Sequence, residues 1–325
     1  MKTGLRSILS ALIVCLLTQT PALCWGPEGH RLVGRIAAQH LTPKARKQVF
    51  NLLKKDPKAG VPLKGKSSND TNALGEAMAI ASNWADEIKG TPQGKGTNSW
   101  HYLDLAATDT AADMAARCAG GNCITAKLVT LKANIAGKVP LPNGAVTFTP
   151  AEELKFLIHF MGDIHQPLHC STDADGGGNC RKTTGFANNL HSTWDTGLVK
   201  KLNTDAAGNP VVESDLASSL NADFGSSFTS MTALTAFDDI ALESRAISFA
   251  SVYQPIFDLH LNSTPEPRPF AKATPPACTD APADLTALPP LDLTPVYGTT
   301  TFQVVREQIA KGGFRLASTI NSIFH

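Results

Sequence analysis

The apolar positions of this chain recur mostly at helical spacing, and in one stretch they surround the helix. Between Ala151 and Gln166, the residues Leu154, Phe156, Leu157, Ile158 and Phe160 cover nearly every side, as in a helix buried at the centre of a core. Thr149, Pro150 and Glu152 supply an N-cap, a first-turn proline and a capping-box acid, and Pro167 closes the helix. Amphipathic periodicity predicts further helices over 30–41, 43–53 (capped by Thr42-Pro43), 72–88, 126–136, 191–202, 213–224, 235–260 and 302–321. Strand-like alternation is scarce, with only Trp100 to Leu105 reading as extended. Nine prolines between Pro265 and Pro295 predict a long, irregular surface connection. Neither a repeat nor a Gly-rich phosphate loop is present. The pattern predicts a mainly α-helical fold with little β structure and no boundary that demands two domains.

Into the apolar helix the sequence places His159 and Asp163, four residues apart and therefore on one face, with His169 just past the end. Such groups are costly to bury unless something compensates, and a divalent cation does so well. One His–Asp pair is as readily a satisfied core hydrogen bond. However, His191 and Asp195 repeat the spacing in Asn-Leu-His-Ser-Thr-Trp-Asp, which favours a metal cluster over coincidence.

Residues 1–24 read as a secretory signal: Lys2 and Arg6, an apolar run from Ile8 to Leu17, and Ala22-Leu-Cys24 before the cut. The run is too short to span a bilayer, no other candidate span follows, and bulky Leu23 argues against a lipid anchor at Cys24. Cleavage there would make Trp25 the new N-terminus, whose α-amine becomes a usable metal ligand once deprotonated. Without Lys2 and Arg6 the chain carries 27 basic against 28 acidic residues. A protein gripping long duplex DNA by charge alone would be basic, so an anion must be held locally here. Five cysteines follow the cut. Their spacing suggests small-loop disulfides Cys118–Cys123 and Cys170–Cys180, leaving Cys278 over; neither pair has the two-residue spacing of a zinc knuckle.

Of nine histidines, His30, His101, His159, His169 and His191 sit in tight motifs with an Asp, a Trp or the new N-terminus, and Asp86 adds a carboxylate in Trp-Ala-Asp. Imidazoles and carboxylates without thiolates suit zinc better than calcium or magnesium. His40, His165, His260 and His325 read as structural.

These motifs resemble those of the zinc-dependent single-strand nucleases of the fungal S-one/P-one type, with their plant and bacterial relatives. The motifs are Trp-Gly-x-x-Gly-His, Trp-Ala-Asp, Trp-His-Tyr, His-Phe-x-Gly-Asp-x-His-Gln-Pro-Leu-His, Gly-Gly-Asn and Asn-Leu-His-x-x-Trp-Asp, spread over essentially all of residues 25–325. The resemblance implies the helical fold of zinc-dependent phospholipase C and three zinc ions. One would be held by Asp86, His101, His159 and Asp163, a second by Trp25, His30 and the other oxygen of Asp163, and a third by His169, His191 and Asp195. It also implies catalytic roles for Asp86, Asp163 and Lys89, the last neutralising a phosphate oxygen. A pocket for one unstacked base would use Tyr102 as platform, Asp104 and Asn179 as edge partners, and Gly177 and Gly178 as close-approaching backbone. The activity implied is hydrolysis of single-stranded DNA and RNA to 5′-nucleotides and removal of 3′-phosphates, by an exported protein acting as a monomer. The runner-up is zinc phospholipase C, whose last metal motif typically ends in Glu where this chain has Asp195. A non-enzymatic zinc-storage or adhesin role is the third reading.

Overall fold

The computed structural model describes residues 25–259, Cys278 and 289–325. The leader, His260 and most of the proline-rich connection lie outside them. The fold is mainly α, as expected, with two small two-stranded sheets. Its centre is helix α7 (Pro150–Asp163), whose residues from Glu153 to Asp163 are all buried. Around it pack α1 (Pro27–Gln39), α2 (Pro43–Leu53), α3 (Thr71–Ser82), α4 (Trp84–Ile88), α6 (Ile124–Gly137) and the long C-terminal helix α14 (Thr299–Ile323). One continuous apolar core runs through all of them. The predicted start of α7 is present: Glu152 N–H donates to Thr149 Oγ1 at 3.3 Å, and Thr149 N–H to the Glu152 carboxylate at 2.8 Å.

Three predicted helices are interrupted. The helix expected over 72–88 breaks at Asn83 into α3 and α4. The one expected over 191–202 is α8 (Leu190–Ser192), a π turn (Thr193–Gly197) and α9 (Leu198–Leu202). That over 235–260 is α12 (Phe237–Ile247), a second π turn (Ser248–Tyr253) and α13 (Gln254–Leu259). Apolar periodicity gives a helix's axis and face but does not register an extra residue in a turn. α10 (Glu213–Phe224) lies where predicted, and the short α11 (Phe228–Met231) follows it.

The pattern missed α5 (Ala111–Arg117), which a Thr110–Asp113 capping box starts, and the hairpin of β1 (Leu141–Asn143) with β2 (Val146–Phe148) around Gly144. It also missed β3 (Thr183–Thr184), paired in parallel with β4 (Leu291–Asp292) from the proline-rich region. The segment expected to be extended begins as a 3₁₀ turn (Asn98–His101) and only then straightens. Leu103 N–H donates to His169 O at 2.8 Å, and Thr172 N–H to Leu105 O at 2.9 Å, so 102–105 lies beside the Pro167–Cys170 turn.

Cys118–Cys123 is bonded as expected, but Cys180 bonds to Cys278, and Cys170 is free and buried. The ten-residue spacing misled because the Pro167–Cys170 turn faces Cys170 inward, its Sγ 3.7 Å from Ile164 O. Cys180 instead ends the Gly-rich loop and bonds to Cys278.

Near the start of α7 two charged side chains are buried. Lys155 Nζ lies 2.8 Å from Asp56 Oδ2 and 3.9 Å above the Trp84 ring, which offsets its desolvation. Glu153 accepts only the Leu141 N–H, at 2.6 Å, and its other oxygen makes no hydrogen bond. Burial pushes this carboxyl from 4.5 up to about 7, against the Leu141 hydrogen bond, so the fold favours the protonated form. The stability this contributes is full below pH 4.5 and is lost as pH rises through about 7. Glu153→Gln should therefore gain in urea midpoint relative to the parent between pH 4.5 and 8. A difference that stays flat with pH would refute the buried, neutral carboxyl.

Candidate metal centre

The C-terminal end of α7 delivers His159 and Asp163 into three contiguous groups of potential ligands: His30, His159 and Asp163; Asp86, His101 and His159; and His169, His191 and Asp195. Asp163 joins the first two. Its Oδ1 lies 3.2 Å from His30 Nε2, while its Oδ2 lies 2.9 Å from His101 Nδ1 and 3.2 Å from His159 Nε2. Asp86 Oδ1 stands 3.4 Å from His159 Nε2 and 3.7 Å from His101 Nδ1. In the third group His191 Nε2 is 3.1 Å, and His169 Nε2 3.8 Å, from the Asp195 carboxylate. His169 Nδ1 lies 3.9 Å from Asp163 Oδ1, so this group adjoins the others.

Three of the five imidazoles are oriented from behind by a backbone carbonyl. His159 Nδ1–H donates to Ser82 O at 2.6 Å, His169 Nδ1–H to His101 O at 2.8 Å, and His191 Nδ1–H to Gly177 O at 2.6 Å. These bonds leave the Nε2 atoms as inward-facing donors. The break at Asn83 has its use here, since it ends α3 at the carbonyl His159 needs and brings Asp86 in on α4. His30 stacks on His159 with ring centroids 3.9 Å apart. That approach requires Gly162, because a Cβ there would fall 2.6 Å from His30 Nδ1.

Gln166, which the sequence reading passed over, accepts the Leu168 N–H through Oε1 and donates through Nε2 to Asp195 Oδ1. It thus ties the end of α7 to the third group. Trp25 is fully buried beside that group, since Gly26 N–H donates to Asp195 O at 2.5 Å. Lys89 Nζ lies 2.6 Å from Asp86 Oδ1. His165 holds apart, as expected: Nδ1–H donates to Met161 O, and Nε2 accepts from buried Arg315.

The electrostatics are those of carboxylates buried among imidazoles. Burial opposes ionisation of Asp163 and Asp86, but the surrounding histidines, with His159 foremost, hold both well below the usual carboxylate range. His159, flanked by both, is raised to about 10 although burial works against it. His101 is held down at about 3, by burial first and then by Lys89. The fit to a cation is shown by the remaining buried donors: His30 Nε2, Asp163 Oδ1, His169 Nε2 and Asp195 Oδ2 make no hydrogen bond. Imidazole and carboxylate donors without thiolate match a zinc-class divalent ion.

Beside this centre the other predicted residues come together. Tyr102 is half-buried, and burial, then Asp104, raises its hydroxyl to about 12. Asp104 is buried and raised to about 7 by desolvation. A Cβ on Gly177 would lie 3.6 Å from Asp104 Oδ1, and half-buried Asn179 follows three positive-φ glycines. A buried carboxylate absent from the sequence reading shapes this loop. Asp175 Oδ1 accepts from Gly178 N–H at 2.8 Å and Tyr253 Oη–H at 2.9 Å, while Oδ2 faces Arg181. The only sequence hint was an acid just ahead of Gly-Gly-Gly-Asn.

A mainly helical protein with a buried His–Asp centre of this kind belongs to the metal-dependent hydrolases. The profile of the S1/P1 nuclease family matches residues 25–325, and the chain belongs to that family. Endonuclease 3 of Arabidopsis thaliana is 28% identical over 325 residues, covering 99% of this chain and 96% of its own. Nuclease P1 of Penicillium citrinum is 28% identical over 307 residues, covering 92% and 97%. Nuclease S1 of Aspergillus oryzae is 28% identical over 179 residues, 54% of each chain. The protein is thus a hydrolase of the nuclease class, and the activity expected from the sequence, on single-stranded nucleic acid, is that of its family.

The Asp175 cluster carries a stability prediction. Tyr253→Phe removes one hydrogen bond to a charged group and should cost about 1.5–3 kcal/mol. Asp175→Asn removes the charge that Gly178, Tyr253 and half-buried Arg181 share, while Asp173 still holds Arg181 at 3.0 Å, and should cost more than Tyr253→Phe. Denaturant midpoints check the ranking, and equal midpoints for both variants and the parent would remove Asp175 as the loop's anchor.

Proposed function

We propose that residues 25–325 form one zinc-nuclease domain that binds three zinc ions and hydrolyses single-stranded DNA and RNA to 5′-nucleotides, and that it also removes 3′-phosphates from nucleotides. The observation that carries this reading is Asp163, whose two carboxylate oxygens are divided between adjacent ligand groups while the third group lies within reach. When bound, the zinc ions supply Lewis acidity: they activate the attacking water and stabilise charge on the leaving oxygen. Asp86, His101, His159 and Asp163 would hold the first ion. Trp25, through its amine after leader removal, would hold the second with His30 and Asp163. His169, His191 and Asp195 would hold the third.

The remaining steps belong to the protein. Lys89, fixed against Asp86, places an ammonium where a phosphate oxygen would otherwise be unbalanced. Tyr102 offers a face to one unstacked base, while Asp104 and Asn179 read its edge and Gly177 and Gly178 let it approach. A base in a duplex cannot present that face, which gives the single-strand preference. Export fits the leader-like start and the two disulfides, which persist in oxidising compartments. No described helix is long and apolar enough to cross a membrane. Nothing in the site favours the phospholipase alternative, since a lipid enzyme has no use for a base platform.

A panel of single-stranded DNA, RNA, 3′-AMP and phosphatidylcholine, with and without chelator, tests the function. Chelator-sensitive turnover of the first three is expected, and turnover of the lipid alone would overturn it. Elemental analysis should find about three zinc ions per chain, the number of ligand groups present.

Asp163→Asn should lower kcat more than Asp195→Asn, because it removes charge from two groups rather than one. The reverse ranking, with folding intact, would contradict the bridging role. Tyr102→Ala removes a stacking surface of about 1–3 kcal/mol. It should cut kcat/KM on nucleotides by about ten- to a hundredfold and spare a base-free nitrophenyl phosphodiester. Equal losses on both substrates would make Tyr102 a structural residue.

A further inference from the structure

The chain is nearly neutral, yet its charge is unevenly placed. Between Lys44 and Lys66 there are eight basic residues (Lys44, Arg46, Lys47, Lys54, Lys55, Lys58, Lys64 and Lys66) against one acidic, Asp56. The rest of the sequence has 21 basic against 27 acidic. Asp56 does not neutralise this run, because its carboxylate is engaged by buried Lys155.

The structure turns the run into a surface. α2 buries Ala45, Val49 and Leu53, so Lys44, Lys47 and Asn51 follow one another along its solvent face, and Lys54, Lys55, Lys58 and Lys64 continue past its end. All these lysines are exposed. Lys58 pairs with Glu87 at 2.7 Å, and Lys66 with Asp70 at 3.2 Å. Lys44 donates to the His325 carbonyl oxygen. Among the described residues no carboxylate lies within ion-pair distance of Lys47, Lys54, Lys55 or Lys64. The stripe borders a cleft of about 490 Å³ between α2, α4 and α7, where Lys55, Lys58 and Lys155 are balanced by Asp56, Glu87 and Glu152, so the unbalanced charge lies on the stripe itself. The α4 wall of the cleft is the five-residue helix that also carries Asp86 and abuts Lys89.

A solvated helix face needs no such arrangement. Such faces commonly intersperse both signs, whereas single-sign rows repel themselves and raise local potential. We infer that the lysine stripe of α2 and the following loop is a docking surface for the phosphate backbone of long single-stranded nucleic acid, outside the metal centre and adjoining it across α4. The occupant follows from charge complementarity and from the family's substrate: a repeating anion matches a repeating cation, and a strand cut at the centre has flanking phosphates to place. The surface would serve polymers, because a mononucleotide has no flanking phosphates to place on it.

The inference rests on the nuclease reading, and the experiment separates the two. The zinc-loaded parent is compared with Lys47→Gln/Lys54→Gln/Lys55→Gln/Lys64→Gln and with a control, Lys138→Gln/Lys200→Gln, elsewhere on the surface. kcat/KM is measured against NaCl on a thirty-nucleotide single strand, a dinucleotide and 3′-AMP. Each phosphate contact on a single strand adds about 0.7 to the slope of log affinity against log salt. With all four lysines engaged, the parent's slope on the long strand should exceed the variant's by about 2.8, or about fiftyfold in rate constant between 50 and 200 mM salt. The dinucleotide, 3′-AMP and the control variant should show no change.

A slope difference below about 0.7, less than one contact, would overturn the inference while parental turnover keeps the nuclease reading. Equal loss on long and short substrates would assign the lysines to folding. Unchanged kinetics with lost binding to anionic phosphatidylserine vesicles would assign the surface to a membrane. Failure of the parent on every substrate would sink the nuclease reading itself.

Discussion

The structure depends on a carboxylate placed where water does not reach. Asp163 is fully buried at the end of a helix that is apolar along most of its length. An isolated ionised carboxylate in such surroundings would cost far more than the few kcal/mol by which a domain is stable. It is tolerated because His30, His101, His159 and His169 converge on it from four separate stretches of chain. With Asp86 and Asp195 they make a donor set whose remaining lone pairs suit divalent cations. The apolar helix fixes the carboxylate in space, and the imidazoles around it make that position tolerable.

Much of the irregular backbone serves this arrangement. The break after Ser82 presents a carbonyl to His159, and the turn after Gln166 brings His169 back under the His101 carbonyl. The π turn at Thr193–Gly197 begins between His191 and Asp195, yet leaves them 3.1 Å apart. Gly162 admits the His30 ring against α7. Regular helices could not supply these bonds, because their carbonyls are occupied within the helix.

The loop before Cys180 joins the proposed base pocket to the third ligand group. Asp175 holds it through Gly178, Tyr253 and Arg181, its Gly177 carbonyl orients His191, and the Cys180–Cys278 bond pins its end. A loop so constrained has little conformational freedom left to lose, which suits the base pocket proposed for it. The lysines of α2 address a different need. A near-neutral protein that acts on a polyanion gathers its positive charge on one face, where the field is not averaged away.

The sequence by itself determined the buried central helix and its cap, because both are local: apolar residues all round and a Thr-Pro-x-Glu start leave little choice. The ligand types were equally legible, since His159/Asp163 and His191/Asp195 are set on one face by helical spacing alone. Tertiary structure decided what depends on distant partners. It divided the oxygens of Asp163 between two groups, broke the helix at Asn83 and joined Cys180 to Cys278 instead of Cys170. It also showed which lysines of the 44–66 run are left without a carboxylate. Spacing along the chain fixes which residues share a face, whereas the identity of the opposing face follows from how the helices pack, and no single segment encodes that.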